Sequence, residues 1–258
     1  MNYPRITVVT PSYNKAKYLQ ETIKSVLNQN YPNLEYFIMD PGSTDGSREI
    51  IKKYAARHKE IKFFFKSDKG QWDAVNNGFK QATGDLLGFL NADDLYTDRS
   101  LFKLAEFRNK NPHRLWFAGQ SLVVDVFGNP IFKAVNTYKN FLLALNKRNL
   151  LYIVNYLMQP SVFISKEAFC RYGDFIGEKK YILEYDYWLR LCKSEMPIVI
   201  SSNLSKFRIT QNMASMNINN QLLSADDKIV STYIDNKVIL FLHKLHNFGR
   251  IVISKSHT

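Results

Sequence analysis

The feature that most restricts what this chain can fold into is an alternation of short β-branched runs and amphipathic stretches through its first hundred residues. Ile6 to Thr10 is such a run, stopped by Pro11, and Leu34 to Met39, Ile61 to Phe65 and Leu86 to Leu90 repeat it. Between these runs, three sets of apolar residues recur at the spacing of one helical face: Leu19, Ile23, Val26 and Leu27; Ile50, Ile51, Tyr54 and Ala55; and Ala74, Val75, Gly78, Phe79 and Ala82. Asn14 is placed to cap the first helix. Strands separated by single helices and short loops run parallel, joined by right-handed crossovers. The expected fold is therefore α/β around a central, mostly parallel sheet.

In sheets of this kind ligands bind beyond the carboxyl ends of the strands. The residues just past those ends are Pro11-Ser12-Tyr13-Asn14, Asp40-Pro41-Gly42-Ser43, Ser67-Asp68-Lys69 and Asn91-Ala92-Asp93-Asp94. All four polar clusters are expected on one rim. The Asp93-Asp94 pair follows a buried run, where an ionised carboxylate costs free energy unless a cation or hydrogen-bond donor meets it. A magnesium or manganese ion shared with a diphosphate is one such partner. The other reading is that either aspartate caps a helix carrying Leu101, Leu104 and Ala105.

The bulk properties exclude more than they select. The chain has 258 residues, 45% of them hydrophobic, enough for one large α/β domain or a domain with an appended helical piece. The apolar run at Ile6 is too short for a signal peptide, and no stretch is long enough to span a bilayer. Cys170 and Cys192 form no CxxC and no cluster with histidine, and read as reduced thiols of a cytoplasmic protein. With 35 Lys+Arg against 23 Asp+Glu, the net charge of +12 favours polyanionic partners such as nucleotides, phosphorylated lipid carriers or anionic membranes. No nucleic-acid module accompanies that charge, and no nucleic-acid partner is expected.

Four motifs occur in order: Val8-Val9-Thr10-Pro11-Ser12-Tyr13-Asn14; Ser25-Val26-Leu27-Asn28-Gln29-Asn30-Tyr31-Pro32; Asp40-Pro41-Gly42-Ser43-Thr44-Asp45-Gly46-Ser47; and Asn91-Ala92-Asp93-Asp94. Together they resemble the inverting glycosyltransferases of family 2. The resemblance implies a single Rossmann-like domain of the GT-A type that moves a sugar from a nucleoside-diphosphate sugar to a glycan or lipid-linked acceptor. The donor's base is uracil in the commonest members. It implies that Asp40 hydrogen-bonds the base, with Thr10, Pro11, Tyr13, Asn14, Gly42 and Ser43 around it. Asn91 and Ala92 would border the donor, and Asp93 would hold a manganese or magnesium ion bridging the diphosphate.

Three positions depart from the family pattern. Asn91 replaces the first aspartate of Asp-x-Asp-Asp, and Ala74-Val75-Asn76-Asn77-Gly78 lacks the arginine of Ala-Arg-Asn-x-Gly. Thr210, in Phe207-Arg208-Ile209-Thr210, replaces the histidine of Arg-x-His, which weakens the metal assignment. Lys69-Gly70-Gln71-Trp72-Asp73-Ala74 is similar instead to a subgroup carrying Lys/Arg-Gly-Gln-x-Asp-Ala. By that resemblance Lys69 offsets diphosphate charge while Gln71 and Asp73 read sugar hydroxyls. Loop and helix-cap duty accounts for the same residues equally well.

In the second half, Leu122 to Val126 and Ile131 to Val135 flank Phe127-Gly128-Asn129-Pro130 and read as a hairpin or two short strands. Gln159-Pro160-Ser161 and Leu183-Glu184-Tyr185-Asp186-Tyr187-Trp188-Leu189-Arg190 again resemble the family. The acidic pair there supplies the general base, so Glu184 is expected in that role with Asp186 as the fallback. Gln159 and Trp188 are expected near the acceptor. A helix N-terminus also favours both carboxylates on electrostatic grounds. The division expected is a donor half over residues 1–98, an acceptor half over 99–215 and a helical extension over 216–258. Residues 139–158 and 222–258 are basic and amphipathic; they are either buried helix faces or contacts with an anionic inner membrane surface that presents the acceptor. Two alternatives stand beside the transferase: a nucleotidyltransferase, for which no glycine-rich triphosphate loop exists, and a non-catalytic binder of nucleic acid or anionic surfaces.

Overall fold

The computed structural model describes residues 3–177, 183–210 and 220–255. The four expected strands form as β1 (Ile6–Pro11), β2 (Leu34–Met39), β3 (Ile61–Phe64) and β4 (Leu86–Phe89), all paired in parallel. Between them run α1 (Ala16–Leu27), α2 (Ser47–Ala55) and α3 (Gln71–Gln81). Side chains alternate along β1, so Ile6 and Val8 pack with Leu19 and Ile23 of α1 and Ile51 of α2. Val9 points the other way, onto Val75 and Phe79 of α3. Helices cover both faces, which is why β1 and β2 are apolar nearly throughout.

The second half completes an eight-stranded sheet with β5 (Leu95–Tyr96), β6 (Trp116–Val124), β7 (Val162–Ser165) and β8 (Ile198–Arg208), in the order β3-β2-β1-β4-β7-β6-β8-β5. β7 is antiparallel to β4 and β6, and β5 is antiparallel to β8. β6 and β8 rejoin the direction of the first four strands. The sheet is thus mostly parallel, with two reversed members.

Three local expectations are corrected. Asn14 does not cap α1: it takes a left-handed conformation (φ 49°), and its side chain accepts from the Thr44 amide. Neither Asp93 nor Asp94 caps the following helix, α4 (Ser100–Lys110), because β5 intervenes. The hairpin is only half formed. β6 ends at Val124, a turn held by Asp125 Oδ1 follows, one bridge joins Val124 to Pro130, and α5 (Lys133–Leu145) replaces the second arm. The bridge lies beyond the Trp116–Ala118 stretch that β7 pairs, and the second arm is lost because the chain enters α5, whose Leu142 and Leu143 are buried in the core.

α6 (Arg148–Ile153), α7 (Lys166–Tyr172) and α8 (Leu183–Cys192) follow in chain order. In the 139–158 stretch Lys139 turns inward, and burial lowers its pKa to about 8, so it is not part of a basic outer face. α9 (Asn220–Tyr233) and α10 (Lys237–Lys255) form the C-terminal helices. They are packed, not trailing: Leu222, Ile229, Val230 and Ile239 share one core with α3 and α8. The expected boundary at residues 215 and 216, and the side chains of Ile251 and Val252, lie outside the described residues.

Candidate active site

The carboxyl ends of β1, β2 and β4 bring three of the four polar clusters to one rim, and backbone bonds lace the first two together. Ser12 N–H donates to the Met39 carbonyl (2.8 Å), and Asn14 N–H to Ser43 Oγ (2.8 Å). Lys15 N–H donates to Ser47 Oγ (3.1 Å) and Ala16 N–H to Asp45 Oδ2 (2.8 Å). Asp40, at the end of β2, is fully buried. Its Oδ1 accepts from the Gly42 and Ser43 amides and from Arg48 Nε at 3.0, 2.8 and 3.0 Å. Gly42 has φ 151°, in the region that favours glycine, and this lets the loop fold back over the carboxylate.

The other carboxylate oxygen, Asp40 Oδ2, is buried with no partner, as is Ser12 Oγ. Leaving a buried acceptor unsatisfied costs free energy, which a ligand donor at this position would recover. Arg48, beside it, lies 4.5 Å over the Phe65 ring. Tyr13 is exposed on the rim, available to stack on a flat ring.

The β4 end is a hydrogen-bonded cluster. Asn91 Oδ1 accepts from Gln71 Nε2 (2.6 Å), while Asn91 Nδ2 reaches Asp94 Oδ2 (3.3 Å) and Gln159 Oε1 (3.4 Å). Gln159 Nε2 donates to the Phe89 carbonyl (2.6 Å). Asp94 is fully buried, and its Oδ1 accepts the Arg208 amide at 2.9 Å. Burial and then the Asp93 charge push its pKa well above the usual carboxylate range. Asp93 is paired differently: Lys15 Nζ stands 2.6 Å from its Oδ2. Lys69 N–H donates to Asp73 Oδ2 (3.0 Å), so Asp73 does the capping work at the start of α3 while the Lys69 side chain stays exposed.

The segment ahead of α8 is tied to α3, and Phe175 within it packs on Tyr187 and Trp188 of α8. Asn76 holds the Phe175 backbone at both N–H and C=O (2.9 Å each), and Gly177 sits so close to the Trp72 indole that a Cβ there would overlap it. Glu184, in the first turn of α8, is partly buried, and burial raises its pKa. Asp186 is fully buried, bonded by the Tyr233 hydroxyl (2.7 Å) and paired with Arg190 (3.2 Å). It anchors α8 to α9.

Three expected contacts fall inside the protein. The Thr10 hydroxyl bonds Tyr36 in the core (3.0 Å), and Ala92 packs under the rim. Trp188 lies against Trp116 at 6.0 Å between ring centroids, with 2% exposure, so it offers an acceptor no surface. Sequence reasoning missed Lys15 and Arg48. Arg48 carried a usable signal, as the second residue of the helix that follows the Asp40 loop; nothing marked Lys15. A cavity of about 410 Å³ among Tyr3, Pro4, Asn33, Asp85 and Arg108 shares no residue with this rim.

The side chains around Asp93 bear directly on whether a divalent cation can bind there. Both Asp94 oxygens and the Asn91 oxygen already accept hydrogen bonds, and Lys15 sits on Asp93. Among the described residues no three His, Cys, Asp or Glu side chains converge. Magnesium and manganese are held by one or two carboxylates together with substrate phosphate oxygens; here an ion shared with a diphosphate would have to displace Lys15 from Asp93, and the neighbouring carboxylate, Asp94, is already engaged at both oxygens.

A mixed sheet of this order, with its polar loops gathered at one rim, is the architecture of the GT-A glycosyltransferases. A mannosyltransferase of Pyrobaculum calidifontis, solved with GDP-mannose and Mn2+, superposes with a TM-score of 0.74 at 18% identity, covering 99% of this chain and 74% of that one. The TarS protein of S. aureus, solved with UDP-GlcNAc, gives 0.69 at 18% identity over 90% of this chain and 68% of that one. The family model for glycosyl transferase family 2 matches residues 7–172, and the chain belongs to that family. An uncharacterised glycosyltransferase of Haemophilus influenzae is 31% identical over 81% of this chain and 86% of its own length. A putative teichuronic acid biosynthesis glycosyltransferase of Bacillus subtilis is 34% identical over 52% of this chain and 53% of its own. The chain is an enzyme, which removes the non-catalytic binder as an alternative.

Proposed function

We propose that this glycosyltransferase moves a sugar, with inversion, from a UDP-sugar to a glycan or lipid-linked saccharide. The observation that carries the reading is the orphaned Asp40 Oδ2 on the donor rim. Uracil presents an N3–H there; cytosine presents an acceptor at the same ring position and would meet a second acceptor. Tyr13 and Pro11 flank the base, and Ser43 and Asn14 fix the loop that holds Asp40. Lys69 faces the diphosphate, and Gln71, with Asn91, reads the sugar hydroxyls.

Glu184 is the base. It takes the proton from the acceptor hydroxyl as that oxygen attacks the anomeric carbon. The bond from that carbon to the β-phosphate oxygen breaks, and its electron pair leaves on the nucleoside diphosphate. A carboxylate whose pKa is raised by burial binds a proton more readily, which suits that task. Asp186, held by Tyr233 and Arg190, positions the helix that carries Glu184. The ion expected at Asp93 would have to displace Lys15, so the reaction proposed uses the chain's own groups. The protein works at the cytoplasmic face of a membrane, with the outer side of α10 against the lipid.

Thermal denaturation with UDP, CDP and N3-methyl-UDP tests the donor reading. A ligand that binds the folded state raises the melting temperature. UDP is expected to raise it, and CDP and the N3-methyl analogue are not. Equal shifts from all three would sink the role of Asp40.

A further inference from the structure

Asp93 already has a cation in this chain. The Lys15 ammonium lies 2.6 Å from Asp93 Oδ2; the Asp93 side chain is 7% exposed and that of Lys15 is 37% exposed. The other oxygens that an ion could share with Asp93 are spent on Arg208 N–H, Asn91 and Gln71, and position 210 carries a hydroxyl. We propose that Lys15, held by Asp93, takes the place of a divalent cation and neutralises the diphosphate of the bound sugar nucleotide. This rests on the donor reading above.

The chemistry of the side chain suits the role. An ammonium is a compact charge with three donors on a flexible stem. Asp93 engages one donor, leaving two for phosphate oxygens at the solvent-open side. The root of Lys15 is fixed, because its own N–H bonds Ser47 Oγ within the same lacing that holds the Asp40 loop. Base contact and charge contact therefore sit on one rigid unit. Asp93 keeps the ammonium paired when no donor is bound, so the empty rim carries no bare buried charge. As the glycosidic bond breaks, negative charge grows on the leaving diphosphate, and a preplaced cation stabilises it.

Calorimetric titration of UDP into the intact protein, with GDP as a second probe, in EDTA and in MnCl2 tests the inference. Wild type is expected to bind UDP in EDTA as tightly as in MnCl2. Lys15→Met is expected to weaken binding in EDTA on the order of 10- to 100-fold, as for a lost charge-assisted contact. Lys15→Arg, which keeps the charge, should restore part of it. Wild-type binding that vanishes in EDTA overturns the inference without any variant, and so does a folded Lys15→Met protein that binds like wild type. Failure of both nucleotides in both buffers overturns the donor reading and this inference with it. Loss confined to EDTA overturns this inference alone.

Discussion

In the role of base proposed for it, Glu184 would be a residue tuned for chemistry at the expense of stability. Burial raises its folded-state pKa above the unfolded value. For a carboxyl shifted in that direction, the stabilising contribution is full below the unfolded pKa and is lost as pH rises through the folded one. Once the pH has passed the folded value, the enzyme carries an ionised group that its surroundings disfavour. The rate, which needs the ionised base, moves the other way and climbs through the same pH range. Glu184→Gln removes both effects. It is expected to slow transfer on the order of 10²–10⁴-fold with donor affinity unchanged. It should also abolish the acid limb of the kcat/KM profile and raise the melting temperature at neutral pH. Steady-state kinetics across pH, with calorimetry at pH 7, check this; wild-type rates in the variant would leave α8 without a base at Glu184.

At the scale of elements, legibility follows locality. β1 to β4 and α1 to α3 could be read because each strand is a continuous apolar run and each helix shows its own period, signals contained within a dozen residues. β5 could not, since Leu95 and Tyr96 are a strand only by pairing with Lys206 and Ser205, more than a hundred positions away. The insertion of β7 between β4 and β6 is likewise a matter of partners. The rim follows the same division. Asp40 announced itself through a turn-rich run after a strand, whereas the pairing of Lys15 with Asp93 spans 78 positions and leaves no local trace. How α3 is seated also depends on a distant residue. A Cβ at Gly78 would lie 2.7 Å from Val9 Cγ1, so Gly78→Ala must push α3, and with it Gln71 and Asp73, off the sheet. Overpacking of this kind costs about 1–3 kcal/mol. At roughly 2–4 °C per kcal/mol for a chain of this size, a lower melting temperature is expected in calorimetry. An unchanged value would mean that the helix rides more loosely than its packing indicates.

The whole molecule presents one strongly two-sided surface. On α10, Ile239, His243 and Asn247 turn inward, while Val238, Phe241, Leu245 and Phe248 are exposed, with Lys237 and Lys244 among them. No helix among the described residues is long and apolar enough to cross a membrane. An exposed apolar row flanked by lysines, on a chain of net charge +12, suits the surface of anionic lipid. Flotation with phosphatidylglycerol vesicles at low salt is expected to carry the protein upward, and Phe241→Asp with Phe248→Asp is expected to release it without loss of folding. No flotation at any salt would reduce the row to an interface of another kind. The bond from the Arg208 amide to Asp94 has a consequence in time as well as in space. Its two ends are 114 residues apart, so a ribosome working at about 5–20 residues per second completes the second end roughly 6–23 seconds after the first. Until then the buried Asp94 carboxylate is without the backbone donor that meets it in the finished fold.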